Sequence, residues 1–219
     1  MSVVLSRFKI VYMPIPKAAC TSVKAALASV DPDCPLTNEE ILQNSSIVHS
    51  HFQTSRFRPH RWEPFSDGSW WRFAVVRDPL KRLLSVYTDR VRGRKELHNS
   101  PKLRKRPDLL LDPDPDFFFE NLMEYIRNSS AVKHHALPSQ LFIGPRPIAF
   151  DRIYKTDELG ILANDLSERL GEDITIPKFN SSETNLSFSD LSSKAASVIR
   201  ERLEPEYDHL SEFFENPFS

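Results

Sequence analysis

The sequence predicts an α/β protein in three layers, with a central parallel sheet flanked by helices. Three observations carry this. Short apolar, β-branched runs recur at 9–14, at 70–77 and within 149–159. Stretches with helical periodicity lie between them. Strands that alternate with helices mark a parallel sheet, because a parallel crossover needs a connection of helix length.

The elements follow in chain order. "KIVYMP" is β-branched and apolar and suits a central strand. Val23, Ala26, Leu27 and Val30 recur at i, i+3, i+4 and i+7, which makes a helix of the next stretch. "SSIVHSHF" at 45–52 is expected to hold a second short strand, and "WWRFAVVR" at 70–77 a third, strong one. After Arg77, Asp78 suits a helix cap and Pro79 a first helical turn. Leu80, Leu83, Leu84, Tyr87 and Val91 then form an apolar stripe, with Arg82, Ser85 and Asp89 on the opposite face. Residues 93–115 carry a block of bases, then a block of acids, with prolines between. They read as a flexible or lid-like excursion. "FFFENLMEYI" resumes a helix, and "AFDRIYKTDEL" at 149–159 contains a fourth strand. Residues 1–219 are expected to form one domain.

Composition bounds the function. The chain has 219 residues, 40% hydrophobic and 27% charged, with a formal net charge of −1. That suits a folded globular protein. The balanced charge argues against a nucleic-acid partner. Two cysteines, Cys20 and Cys34, are too few for a disulfide scaffold. No apolar run approaches the roughly 20 residues of a membrane helix, so no membrane span is expected. No signal-peptide pattern opens the sequence. If these residues are the whole protein, a cytoplasmic location is expected.

Two places carry chemistry. "PKAACTS" follows the first central strand. A tight turn into a helix presents unpaired N–H groups and the positive end of the helix dipole, and so favours an anion. Lys17 adds a full charge, Ala18 and Ala19 allow close approach, and Thr21 and Ser22 offer hydroxyls that can also cap the helix. The stretch suits a phosphate or sulfate group. It is not a Walker A loop, since no glycines precede the lysine. "RDPLKRLLSVY" is the second place. Arg77 closes a strand at its carboxyl end, where open α/β sheets bind ligands, and Ser85 follows eight residues later.

Together the two stretches resemble the nucleotide-binding signatures of the sulfotransferases. The wording "IPKAACTS" is most similar to the carbohydrate branch, and the cytosolic small-molecule branch differs where Ala19 and Cys20 stand. The resemblance covers about residues 8–90. It implies a P-loop-like fold and an enzyme that moves a sulfuryl group from PAPS (3′-phosphoadenosine 5′-phosphosulfate) to a hydroxyl acceptor, a carbohydrate by the branch it resembles, with no metal required. It implies that Lys17, Ala18, Ala19, Cys20, Thr21 and Ser22 hold the 5′-phosphosulfate, and that Arg77 and Ser85 hold the 3′-phosphate. Lys17 would also neutralise charge on the leaving oxygen. A nucleotide kinase and a non-catalytic nucleotide-binding module are the alternatives. The first lacks its Walker motif here, and the second would need no base.

A hydroxyl acceptor calls for a general base. A neutral imidazole takes a proton near pH 7, since histidine's reference pKa is about 6.5. His49 and His51 form a His-x-His that resembles a motif of the uronyl 2-O-sulfotransferases, which implies His51 as base and His49 as its neighbour. Glu63 is a reserve. Arg56 and Arg58, with the basic half of the excursion, would attract an anionic glycan. His134 and His135 are expected to line the acceptor cleft.

Overall fold

The computed structural model describes residues 2–145, 149–179 and 186–219. The chain divides into two compact units. The first is Met1–Arg77 with Ser139–Ser181, and the second is Asp78–Pro138 with Ser182–Ser219.

The first unit is built on a four-stranded sheet in the order β1-β2-β3-β4. The strands are β1 (Val3–Leu5), β2 (Ile10–Met13), β3 (Trp71–Val76) and β4 (Arg152–Lys155). β2, β3 and β4 run parallel, as their apolar runs predict. β1 is an antiparallel edge. It turns back through a single 3-10 turn, Ser6–Phe8, closed by Lys9 in the left-handed region at φ 54°. Every residue of β2 is buried, which explains its continuous apolar sequence. Tyr12 pairs with Phe73 across β2 and β3, and their rings stack at 4.9 Å. Helix α1 (Cys20–Val30) supplies Val23 and Leu27 to the core. Helix α10 (Leu159–Leu170) adds Leu162 and Leu166.

One expected strand is absent. Residues 45–52 form a 3-10 turn, Ser45–Ile47, that runs into a short helix, α3 (Val48–His51). The reason is local. Thr37 and Glu40 form a capping box on α2 (Asn38–Gln43), and the Asn44 side chain then accepts from Ser46 N at 3.2 Å. Asn and Ser side chains that bond nearby backbone compete with a sheet ladder. The buried residues are Val48 and Phe52, an i, i+4 spacing that belongs to a helix.

The second unit is helical. α5 (Pro79–Val86) starts as the sequence predicts, with Asp78 accepting from Lys81 N at 2.8 Å. It passes into a π-helical turn, Tyr87–Gly93. Helices α6 (Pro115–Glu120), α7 (Leu122–Asn128), α8 (Ser130–Ala136) and α11 (Ser193–His209) complete it. Phe118, Phe119, Tyr125, Leu203 and Tyr207 lie in its core.

The stretch 93–115, expected to be a flexible or lid-like excursion, is anchored by three leucines. Leu97, Leu103 and Leu109 are buried in the core of this unit. Its charges pair locally, Arg94 with Asp89, Arg106 with Asp108 and Glu124, and His98 with Asp112. Arg94, Lys95 and Arg106 of the basic half thus have acidic partners. On the face of α5 opposite the leucine stripe, Arg82 and Ser85 are buried. Arg82 is only 1% exposed and is held by Glu206 at 2.9 Å. It also donates to the carbonyls of His135 and Leu137, at 3.1 and 2.8 Å. Those carbonyls stand at the C-terminal end of α8, where backbone acceptors lack helical partners.

Among the described residues no helix is long and apolar enough to cross a membrane.

Candidate active site

The site is described first within the first unit. β2 ends at Met13, and Pro14, Ile15 and Pro16 are buried behind it. The turn into α1 then uses two left-handed residues, Lys17 at φ 66° and Ala19 at φ 57°. Neither is glycine, and a non-glycine residue in that region costs about 1–3 kcal/mol. Ala18 lies between them, fully buried, and its N–H donates to Ile15 O at 3.2 Å. Alternating handedness turns successive N–H groups toward one concave side, the form of an anion nest. Ala19 is the N-cap of α1, with no side-chain cap bond. The first turn of this helix thus keeps the positive end that an anion seeks.

The expected capping by Thr21 and Ser22 is therefore corrected. Both lie inside the helix, with hydroxyls turned to other partners. Thr21 Oγ1 is 2.9 Å from His49 Nε2. Ser22 Oγ accepts from Phe179 N at 3.3 Å. Cys20, the first helical residue, and Cys34 are free thiols.

Arg77 closes β3 and reaches the loop. Its Nη1 donates to the Lys17 carbonyl at 3.2 Å. Sequence reasoning gave these two residues to different phosphates, and the fold joins them. Ser85 belongs to the second unit. It is buried on α5, and its hydroxyl donates to Arg82 O at 2.6 Å.

The two histidines of the His-x-His differ. His49 is half-buried and sits between α1 residues. Its Nε2 meets Thr21, and its Nδ1 is 3.1 Å from Lys24 Nζ. His51 is exposed, its ring edge-on to Phe52 at 4.4 Å. Arg56 and Arg58 are exposed in the loop after α3. Between them, Phe57 N donates to Leu141 O at 2.8 Å. Glu63 is exposed. His134 and His135 belong to the second unit, on α8, with rings at 4.9 Å. His135 Nδ1 bonds Ala131 O, a local helical contact.

Sequence reasoning missed Lys24. It is buried at 0% exposure, and burial pushes its ammonium down from 10.5 to about 8, against the opposing pull of the Cys20 thiol group. Its Nζ also donates to Thr54 Oγ1 at 2.8 Å. The signal was present: Lys24 is the only charge in "CTSVKAALASV", an otherwise small and apolar helix.

The structure is thus an α/β protein with a strained turn at a helix start, a lysine in that turn and an arginine at the next parallel strand end. The family model described as "Sulfotransferase family" matches residues 2–215. The chain belongs to the sulfotransferase family, transferases that move a sulfuryl group. No curated protein and no solved structure matches it.

Proposed function

We propose that this protein transfers the sulfuryl group of PAPS to a hydroxyl of a carbohydrate, on a P-loop-like fold. The observation that carries the reading is the left-handed Lys17–Ala19 turn braced by Arg77. It is a strained, cationic concavity at a helix start, and strain of that kind gathers at ligand clamps.

In this reading, Lys17 and the N–H groups of Ala19, Cys20, Thr21 and Ser22 take the phosphosulfate, and buried Ala18, its N–H held by Ile15 O, shapes the turn. The sequence spacing of Arg77 and Ser85 supports giving them the 3′-phosphate. The acceptor oxygen forms a bond to sulfur while the bond from sulfur to the nucleotide's phosphate oxygen breaks. Lys17 neutralises charge on that leaving oxygen. Such transfer depends on positioning and electrostatics rather than covalent chemistry. His51 takes the acceptor's proton. Both ring nitrogens of His49 are engaged, which favours His51 for this task. Arg56 and Arg58 attract an anionic glycan, and His134 and His135 are kept as acceptor-binding residues on the motif alone.

The test is transfer of labelled sulfate from PAPS to a panel of glycans and phenols. A labelled glycan supports the reading, and a labelled phenol alone moves the acceptor class. Binding of adenosine 3′,5′-bisphosphate without any transfer points to a nucleotide-binding module.

A further inference from the structure

We infer that Lys24 is a positioning residue that acts through His49 to make the Thr21 hydroxyl an obligate donor to the anion held at the first loop. The inference rests on the proposed reading for the identity of that anion, but its geometry does not.

The argument is one of donors and acceptors. An ammonium carries three N–H donors and no acceptor. Lys24 Nζ lies 3.1 Å from His49 Nδ1 and 2.8 Å from Thr54 Oγ1. As a cation it donates to both, so His49 Nδ1 must hold a lone pair. A neutral imidazole has one N–H, and it then sits on Nε2. That N–H faces Thr21 Oγ1 at 2.9 Å, and the threonine oxygen accepts. The hydroxyl proton of Thr21 is left to point elsewhere. Thr21 has no other hydrogen-bond partner among the described residues, and it lies in the first turn of α1, directly after the nest. Its proton is available to an anion there.

Neutral Lys24, with a lone pair on Nζ, would also allow the reverse chain, in which Nζ accepts from Nδ1–H, Nε2 accepts from the threonine hydroxyl, and Thr21 presents only lone pairs to the anion. A charge buried under the loop thus sets the polarity of a hydroxyl at its surface. The role also explains a feature that packing does not: a lysine with no exposure among Val23, Ala25, Ala26, Leu27 and Ala28. A buried cation is expensive unless its donors are used.

The experiment has two arms. Side-chain ¹⁵N NMR of His49 in the full chain reads the tautomer without any need for turnover. The Nε2–H form is expected in the wild type, and a mixture in Lys24→Met. An Nδ1–H wild type overturns the inference. Kinetics with PAPS form the second arm. Thr21→Val is expected to lower kcat about 10²-fold, as loss of one oxyanion donor does. Lys24→Met lowers kcat in the wild-type background and adds little to Thr21→Val, while adenosine 3′,5′-bisphosphate binds within about 3-fold. His49→Gln, which keeps an N–H, retains more activity than His49→Leu. Full multiplication of the Lys24 and Thr21 effects overturns the relay. If the wild type turns over no PAPS, the sulfotransferase reading fails by itself, and the relay is then decided by the tautomer.

Discussion

The Arg77 guanidinium donates to the Lys17 carbonyl at 3.2 Å, so the end of β3 braces the loop that follows β2. An arginine has five N–H donors, and this bond uses one. Arg77 therefore shapes the anion loop as well as contributing charge. Arg77→Ala is expected to raise the Kd for adenosine 3′,5′-bisphosphate by about 10–100-fold, the worth of a charge-assisted hydrogen bond. Arg77→Lys recovers only part of this, since a lysine cannot reproduce the planar fork. Calorimetric titration reads both values. An unchanged Kd in the alanine variant removes Arg77 from the site.

In the proposed reading Lys17 stabilises the leaving oxygen. Lys17→Ala is expected to cut kcat about 10²–10³-fold. The same variant relieves nothing in the backbone, because alanine is no better than lysine at φ 66°. Its melting temperature should stay close to wild type. Activity within about 3-fold of wild type, under 1 kcal/mol, would show that the leaving oxygen is stabilised elsewhere.

Much of the first unit was legible because its signals are local. The apolar runs of β2 and β3 are buried strands, β4 forms where expected with Tyr154 buried, and "PKAACTS" and Arg77 stand where strand ends put them. The failures have a common cause. At 45–52 the Asn44 and Ser46 turn, a local side-chain preference, outweighed an apolar run of two residues. The burial of Arg82 left no sign in the sequence because its partner Glu206 lies 124 positions away. Lys24 read as one more helix residue because Thr54 and the His49 ring reach it from separate segments. Long-range polar pairs leave no periodicity in a sequence.

His51 carries the prediction for the acceptor side. His51→Ala is expected to lower kcat by about 10²–10⁴-fold with nucleotide binding unchanged, and His49→Ala to lower it less. If His49→Ala is the more damaging variant, the base is His49.

Lys24 also gives a stability signature. Folded, it releases its proton at about 8; unfolded, near 10.5. Between those values the unfolded chain binds more protons, so wild-type stability rises with pH. Cys20 and His49 face the same ammonium and remain in both proteins compared. The stability of Lys24→Met relative to wild type should therefore be greatest below pH 8 and fall by up to about 3 kcal/mol toward pH 10.5, at 1.36 kcal/mol per unit. Urea melts across that range measure it. A constant difference would mean that burial does not lower the pKa of Lys24.

The segment 93–115 gives the last test, since its charge pattern and its packing point to different results. A mobile lid tolerates loss of its side chains. Here Leu97 and Leu103 are 0% and 1% exposed, in the same core as Phe118, Phe119 and Tyr125. Ser100 donates to Asn128 O at 2.5 Å, and Tyr125 donates to Leu110 O at 2.8 Å, so backbone as well as side chains bind the segment down. Leu103→Ala leaves a cavity and is expected to destabilise by about 2–5 kcal/mol. Lys105→Ala, on an exposed residue two positions on, should stay within about 0.5 kcal/mol. Chemical denaturation of both variants compares them directly. If Leu103→Ala were as stable as Lys105→Ala while the KM for the acceptor rose, the segment would be a substrate-contacting lid after all.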